Sequence, residues 1–270
     1  PPQGPDEMED APTRNRILHR MLGLGVENHA VLREALKVYY ANIRFIDDSV
    51  GRIVSALRKH ALADDTIIVF CSDHGDFMGE HDMTCKGGVF YDCLTRVPLV
   101  ISWPGRVPQG QVESSMVSLI DIVPTLFALQ GIDTPAQMQG TPLPSATQAL
   151  PRDEVFSEYG AGGPPFEEQD LEKAPEPYGY RTVIQSLKWR EAEGRRKMVR
   201  TERWKYVHDS MGDRDELYDM HADPWELSNL EGVPGYETAL DDMKKRLMDW
   251  AIRTEDPAPV ELPEPKLRGI

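Results

Sequence analysis

The side chains best suited to chemistry are concentrated in residues 71–96, which hold five carboxylates, two imidazoles, one ammonium group and one guanidinium group. Asp73 and His74 are adjacent in this stretch, and a carboxylate and an imidazole can each bind a metal ion once deprotonated. Lys86 is followed by two glycines, which let a ligand approach the backbone closely, and its ammonium group offers a point charge to an anionic oxygen. These residue types are compatible with a metal-binding crevice that has a lysine at its side.

Each of these residues also has a structural interpretation, which spacing alone leaves open. Asp73 could cap the turn after a strand, His74 could be a hydrogen-bonded loop histidine, and Lys86 could be a surface lysine. His81 follows His74 by seven residues, but no third ligand at helical spacing supports a zinc site. The other acids before Lys86 are interpreted as solvated loop residues, namely Asp76, Glu80 and Asp82.

The elements predicted around this stretch place it at the end of a strand. Residues 66–71 form a continuous apolar and β-branched run, which is typical of a strand buried on both faces of a parallel sheet. Residues 72–75 therefore follow the carboxyl end of a strand, where open α/β sheets bind their ligands. Residues 97–103 predict a second strand, and because of Pro98 it is either a short strand near a sheet edge or one that starts late.

Helices are predicted on both sides of these strands. Apolar residues recur at spacings of three and four from about residue 30 to residue 59, which predicts a long amphipathic helix. Asp121 and Gly131 are suitable cap residues for a shorter helix between them. The order helix, strand, loop, strand, helix predicts the α/β class.

The carboxy-terminal part has a different composition. Residues 131–180 predict a long loop or linker, since residues 160–180 alone contain four prolines, four glycines and five acids. Residues 198–207 and 216–220 are rich in aromatic and β-branched side chains, which predicts antiparallel strands. A final helix is predicted from one apolar face, formed by Leu240, Met243, Leu247 and Trp250.

Composition and charge exclude several classes of protein. The chain has 270 residues, with 30 Lys and Arg against 45 Asp and Glu, and its formal net charge of −15 argues against a nucleic-acid partner. Its apolar runs are far shorter than the roughly 18 residues of a membrane-spanning helix, which predicts a soluble protein without a membrane partner. Three cysteines are too few for a disulfide framework. Because the chain starts without Met or a signal-peptide pattern, we expect that its natural start is missing, and the compartment stays undetermined.

Several motifs together resemble the carboxy-terminal portion of a sulfatase of the alkaline-phosphatase-like superfamily. The central motif runs from Ser72 to His81 and is followed by Lys86, Tyr91-Asp92 and Arg96–Val100. The resemblance covers about residues 30 to 255 and includes further motifs at Trp103–Gly105, Ser118–Thr125, Arg200–Tyr206 and Glu216–Asp219.

The resemblance implies a fold and a division of the chain. The implied fold is α/β, part of an alkaline-phosphatase-like sandwich in which helices flank a largely parallel sheet, with a small carboxy-terminal antiparallel sheet and a terminal helix. We expect an extended or irregular lead-in, the second half of the catalytic α/β domain, a small subdomain of linker loop, strands and helix, and an irregular tail. These four segments correspond to residues 1–29, 30–150, 151–256 and 257–270.

The resemblance also assigns roles within residues 71–96. Asp73 and His74 correspond to two ligands of the family's single divalent cation, usually calcium, and Lys86 corresponds to a lysine that contacts the sulfate and the bridging oxygen. An imidazole is an unusual ligand for a hard cation that prefers oxygen, so magnesium and manganese stay open. Further candidates, which would support the site or contact the substrate, are His81, Tyr91 and Arg96.

The family's nucleophile is a formylglycine made from Cys or Ser in a Cys/Ser-x-Pro/Ala-x-Arg motif. None of the three cysteines, Cys71, Cys85 and Cys93, stands in such a motif. The paired aspartates that complete the metal site normally lie on a first strand, and no such strand is predicted before residue 30. We therefore expect that this chain holds no nucleophile and is incomplete and inactive alone.

These observations predict a sulfuric ester hydrolase whose substrate is a small-molecule or carbohydrate sulfate ester. Two alternatives stay open. A phosphonate monoester or phosphodiester hydrolase of the same superfamily would share the Asp-His-Gly motif and the lysine. A truncated, non-catalytic relative could act as a binding module. The sequence does not indicate an oligomeric state.

Overall fold

The computed structural model describes residue 8 and residues 11–23, 29–160, 195–210 and 212–255. The helices within these ranges are α1 (Thr13–Leu22), α2 (His29–Lys59), α3 (Asp92–Thr95), α4 (Ile122–Gln130), α5 (Pro144–Thr147) and α6 (Glu237–Thr254). The strands are β1 (Ile68–Cys71), β2 (Phe77–Met78), β3 (Thr84–Cys85), β4 (Leu99–Ser102), β5 (Glu154–Tyr159), β6 (Arg196–Thr201), β7 (Trp204–Asp209) and β8 (Glu216–Asp219). The predicted tail and the acidic part of the predicted loop, residues 257–270 and 161–180, lie outside the described residues.

Strand β1 carries the candidate site at its carboxyl end. It pairs with β4 in an antiparallel register that places Ile68 opposite Ser102 and Cys71 opposite Leu99. Both strands are predicted from the sequence, but two expectations for the first strand are wrong. It pairs antiparallel with β4 and not as a strand of a parallel sheet, and it is not buried on both faces. Phe70 is 36% exposed and Cys71 is exposed, so the described residues leave part of this two-stranded sheet uncovered.

The predicted helices around these strands are confirmed. The long amphipathic pattern corresponds to α2, and the shorter one to α4, which ends at Gly131. Gly131 has a φ of 69°, a left-handed conformation that a glycine adopts without steric cost and that terminates the helix.

The carboxy-terminal part of the described chain is an antiparallel sheet covered by a helix. Its strand order is β5-β6-β7-β8, and α6 packs Met243 and Leu247 against Val199, Tyr206 and Leu217 of the sheet. The predicted antiparallel strands and final helix are thus confirmed, except that the segment 198–207 forms two strands, β6 and β7, joined by a bend at residues 202 and 203. Strand β5 lies in the stretch predicted as loop, since its alternation of polar and apolar residues is short.

Helix α1 is a correction to the expected irregular lead-in of residues 1–29. Its apolar side chains Ile17, Leu18 and Met21 are buried, and they recur at the spacing of a helix. Its first backbone N–H groups, those of Thr13 and Arg14, each donate to the Asp213 carboxylate at 3.0 Å. This cap comes from about two hundred residues away in sequence, so no local capping signal announces the helix. The boundaries at 30, 150 and 256 stay predictions.

Helix α1 is also held to the sheet by buried charges. Arg14 lies 3.1 Å from Asp209, and Asn15 donates to Glu216 at 3.0 Å. Arg196, fully buried, donates to the same Glu216 carboxylate and to the Asn15 side-chain oxygen. Each buried charge named here has an opposite charge or an amide beside it, which offsets part of the cost of burying an isolated charge. None of the described helices is both long and apolar enough to cross a membrane.

Candidate active site

The loop after β1 brings Asp73 and His74 to the rim of a cleft. Ser72 Oγ donates to the His74 carbonyl oxygen at 2.8 Å, which tightens this loop. The Asp73 carboxylate is 83% exposed, and its Oδ2 lies 3.5 Å from His74 Nε2. The hydrogen bond from the His74 backbone N–H, with His74 and Lys86 nearby, lowers the pKa of Asp73. Asp73 is therefore a carboxylate that stays ionised and open to a ligand at neutral pH.

The hairpin β2–β3 returns the chain so that Lys86 stands beside His74. Phe77 pairs with Cys85 in this hairpin, and Lys86 follows directly. Lys86 Nζ lies 2.6 Å from His74 Nε2, across twelve residues of sequence. Asp73, His74 and Lys86, three residues singled out by the sequence, are thus brought together by the fold.

The hydrogen bonds of His74 define its tautomer. Nδ1 lies 2.9 Å from the Gly75 carbonyl oxygen, which is an acceptor, so this nitrogen carries the proton. Nε2 then presents its lone pair, which accepts from the Lys86 ammonium group. A metal-binding histidine usually has a backbone carbonyl on one ring nitrogen and a metal ion on the lone pair of the other, so a metal ion here would take the place of the Lys86 N–H at Nε2.

This donor set fits part of a cation site. One carboxylate oxygen and one imidazole nitrogen lie 3.5 Å apart and face the same side of the loop, so one cation could contact both. The described residues contain no group of three or more His, Cys, Asp or Glu placed to hold a metal ion. A divalent cation at Asp73 and His74 would therefore need ligands beyond this pair.

Gly75 fixes the loop against helix α3. Its backbone N–H donates to the Leu94 carbonyl oxygen at 2.8 Å, and a Cβ atom at this position would lie 1.9 Å from the Cys93 carbonyl oxygen. Only glycine allows this approach. Gly87, by contrast, faces the Leu18 side chain of α1, so one of the two glycines after Lys86 serves packing.

The three further candidates from the sequence separate into two groups. Arg96 is exposed and lines the same cleft as His74 and Lys86. His81 and Tyr91 are 4% and 3% exposed and lie in the core behind the hairpin, where their rings stack with centroids 3.8 Å apart. Burial lowers the pKa of His81 to about 4, so this ring is neutral at pH 7. Neither of the two stacked residues lines the cleft.

A cluster to which the sequence assigned no role is built around Lys205, although Asp92, Arg200 and Lys205 fall within motifs of the resemblance. Lys205 of β7 is 1% exposed, and its ammonium group donates to Asp92, to the Glu226 carboxylate and to the Phe90 carbonyl oxygen. Arg200 of β6 lines the cleft and approaches Asp92 at 3.5 Å. In the sequence, the signal for this cluster is a lysine and an acid at inward-facing positions of apolar segments. Only the pairing between distant elements explains why charged residues occupy these positions.

A serine also matches the sequence pattern of the nucleophile motif. Ser102, Pro104 and Arg106 satisfy the Cys/Ser-x-Pro/Ala-x-Arg pattern. The register of β1 and β4 pairs Ser102 with Ile68, at the opposite end of the sheet from Cys71. Three residues of strand, about 10 Å, thus separate Ser102 from the end of β1 that carries Asp73. Ser102 therefore matches the motif in sequence only, because it does not lie beside the candidate site.

Comparison with known proteins defines the family. The sulfatase family model matches residues 2–132, and choline-sulfatase of Rhizobium meliloti is 31% identical over 93% of this chain and 44% of its own length. A 2-O GAG sulfatase structure has a TM-score of 0.72 at 27% identity, over 94% of this chain and 53% of that one. The phosphonate monoester hydrolase of Agrobacterium radiobacter has a TM-score of 0.64 at 31% identity, over 81% and 41%.

The fold is therefore the alkaline-phosphatase-like fold. The chain belongs to the sulfatase family. It spans about half the length of the relatives it matches.

Proposed function

We propose that this chain contributes part of the active site of a sulfuric ester hydrolase. The observation that carries the proposal is the convergence of Asp73, His74 and Lys86 at the end of β1, with Lys86 Nζ 2.6 Å from His74 Nε2. A sulfate ester carries one negative charge, and an ammonium group beside a metal-binding pair complements that charge. The family membership supports the same activity.

In this proposal Lys86 is the catalytic residue of the chain. Its ammonium group donates a hydrogen bond to the sulfate and to the bridging oxygen. Negative charge develops on that oxygen as the S–O bond breaks, so a fixed ammonium group stabilises the transition state more than the ground state. The Gly75 carbonyl oxygen holds the imidazole of His74 in the orientation that the site needs.

Asp73 and His74 are proposed as two ligands of a divalent cation, with calcium as the first candidate. The ionised Asp73 carboxylate is a hard oxygen donor, whereas the imidazole of His74 is also suited to manganese. When bound, the cation would supply positive charge next to the sulfate oxygens.

The proposal takes the nucleophile from outside these 270 residues. None of the three cysteines has the motif, and Ser102 lies at the far end of the strand pair. A formylglycine would supply the nucleophilic oxygen in the whole protein.

The substrate class is proposed to be a small-molecule or carbohydrate sulfate ester. A relative named as choline-sulfatase supports a small-molecule sulfate ester, and a structure named as a 2-O GAG sulfatase supports a carbohydrate sulfate ester. A second candidate function is hydrolysis of phosphonate monoesters, which the similarity to the Agrobacterium radiobacter enzyme favours. A non-catalytic binding module is the third.

The experiment compares kcat/KM of the full-length protein for 4-nitrophenyl sulfate, a phenylphosphonate monoester and bis(4-nitrophenyl) phosphate. We expect the sulfate ester to be the best substrate, and we expect a chelator to abolish turnover and added calcium to restore it. A higher kcat/KM for the phosphonate would replace the sulfate proposal by the second function. The absence of turnover with all three esters would favour the binding module.

A further inference from the structure

Lys205 joins the carboxy-terminal sheet to the segment that carries Lys86. Its Nζ lies 2.9 Å from the Phe90 carbonyl oxygen and 2.6 Å from the Glu226 carboxylate, and it also donates to Asp92. Its side chain is 1% exposed. A buried ammonium group with three oxygen acceptors is fully satisfied, so it holds those three groups in fixed positions.

Glu226 completes the cluster from the other side. Its Oε2 accepts a hydrogen bond from the Asp92 backbone N–H at 2.6 Å, so the first turn of α3 is held through both the backbone and the side chain of Asp92. Glu226 itself has a φ of 58°, a left-handed conformation that costs a residue with a side chain about 1–2 kcal/mol. The fold tolerates this strain at a residue whose carboxylate anchors α3, which points to a role for that contact.

The two carboxyl groups of the cluster differ in ionisation. Burial alone would raise the pKa of Asp92, but Lys205 and Arg200 together lower it, so Asp92 stays ionised. Burial raises the pKa of Glu226 to about 7, with Asp92 adding to this and Lys205 opposing it. Asp92 therefore faces Lys205 and Arg200 as an ionised group, whereas Glu226 faces Lys205 and exchanges its proton near neutral pH.

Helix α3, which this cluster holds, supports both parts of the candidate site. Lys86 lies six residues before Asp92, and the intervening Val89, Phe90 and Tyr91 are buried. At the other end of the helix, the Leu94 carbonyl oxygen accepts the Gly75 N–H at 2.8 Å. A shift of α3 would therefore act on Lys86 through the chain and on the His74 loop through the Gly75 hydrogen bond, and it would change the distance between the two.

We propose that Lys205, Asp92 and Glu226 are positioning residues, the α3 anchor, which hold α3 so that Lys86 and His74 keep their separation. The inference rests on the proposed function for its catalytic consequence. Because a misplacement of about 1 Å can cost on the order of 100-fold in rate, loss of the anchor reduces kcat more than it reduces substrate binding.

The test uses three near-isosteric variants of the full-length protein, Lys205→Met, Asp92→Asn and Glu226→Gln. The control is Tyr218→Phe, which removes a buried hydrogen bond to Glu216 at 2.8 Å and leaves the anchor intact. Each protein is measured for 4-nitrophenyl sulfate turnover, for thermal unfolding, and for hydrogen exchange of the peptide that contains the Gly75 amide.

We expect the anchor variants to lower kcat by about tenfold or more, with KM changed by less than about threefold. We also expect exchange at Gly75 to accelerate by about tenfold, because its hydrogen bond to Leu94 opens more often. Tyr218→Phe should change neither kcat nor the exchange rate at Gly75, even if it lowers the melting temperature. Should Lys205→Met not fold, the milder Asp92→Asn and Glu226→Gln decide the outcome.

Anchor variants that melt earlier but keep wild-type kcat and wild-type exchange at Gly75 would overturn the inference, since the cluster would then stabilise the fold alone. Exchange is measured without substrate. A wild-type protein that does not hydrolyse the sulfate ester would count against the proposed function, and the exchange data would still decide whether the anchor positions the loop.

Discussion

Replacing the imidazole of His81 tests why the stability of this fold should decrease at acid pH. His81 is 4% exposed, stacked on Tyr91 and edge-on to Phe77 with centroids 6.3 Å apart. Burial, with the positive charges of His19 and Lys205, lowers the pKa of His81 from 6.5 to about 4. The unfolded chain therefore takes up a proton near pH 6.5 that the folded chain refuses until about pH 4.

The sign and size of the effect follow from this difference. Stability contributed by neutral His81 is fully present above pH 6.5 and is lost as the pH falls towards 4. The loss is about 2 kcal/mol at pH 5 and about 3 kcal/mol once both states are protonated. Since about 1 kcal/mol corresponds to roughly 2–4 °C in a protein of this size, the melting temperature should fall by about 4–8 °C at pH 5.

The assay is calorimetric melting of the wild type and His81→Phe at pH 8 and pH 5. The Phe variant keeps an aromatic ring and cannot titrate, so its melting temperature should fall by about 4–8 °C less than that of the wild type between the two pH values. The control His60→Phe alters an exposed histidine at the end of α2 and should keep the wild-type pH dependence. Equal pH dependence in His81→Phe and the wild type would refute the reasoning.

Two further predictions concern the neighbourhood of α3. Because the folded protein raises the pKa of Glu226 to about 7, it holds a proton that the unfolded chain releases, so stability is lost as the pH rises from 4.5 to 7. Glu226→Gln should abolish this loss of about 3 kcal/mol in melting scans, and an unchanged pH dependence would contradict the burial argument. Gly75→Ala should destabilise the protein by about 1–3 kcal/mol or more, because its Cβ would lie 1.9 Å from the Cys93 carbonyl oxygen. Gly51→Ala, which meets nothing within 4 Å, is its control and should be neutral or stabilising by about 1 kcal/mol.

Periodic patterns predicted most of the regular elements. The stripe of apolar residues gave α2 and α6, and Gly131 marked the end of α4. These predictions depend only on residues that are close together in the sequence, so the pattern of residue types is enough to make them. Strand β1 was predicted for the same reason, but its exposure was not, because burial depends on which other segments pack against it.

Two of the elements that the sequence did not announce are held by distant residues. Helix α1 takes its cap from Asp213, and β5 pairs with β6, more than thirty residues further along the chain. Spacing placed Asp73 and His74 together because they are adjacent, but only the hairpin geometry brings Lys86 to His74. Lys205 and Glu226 could not be assigned from the sequence, since their partners lie in other elements.

The most direct test of the proposed active site is the rate of 4-nitrophenyl sulfate hydrolysis by Lys86→Ala in the full-length protein. We predict that kcat falls by about 100- to 1000-fold, the effect of removing one fixed donor to a developing negative charge. Lys245→Ala removes a lysine of α6 that is 69% exposed and paired with Asp249, and it should keep the wild-type rate. A Lys86→Ala protein that folds and hydrolyses the ester at the wild-type rate would contradict the assignment of this site.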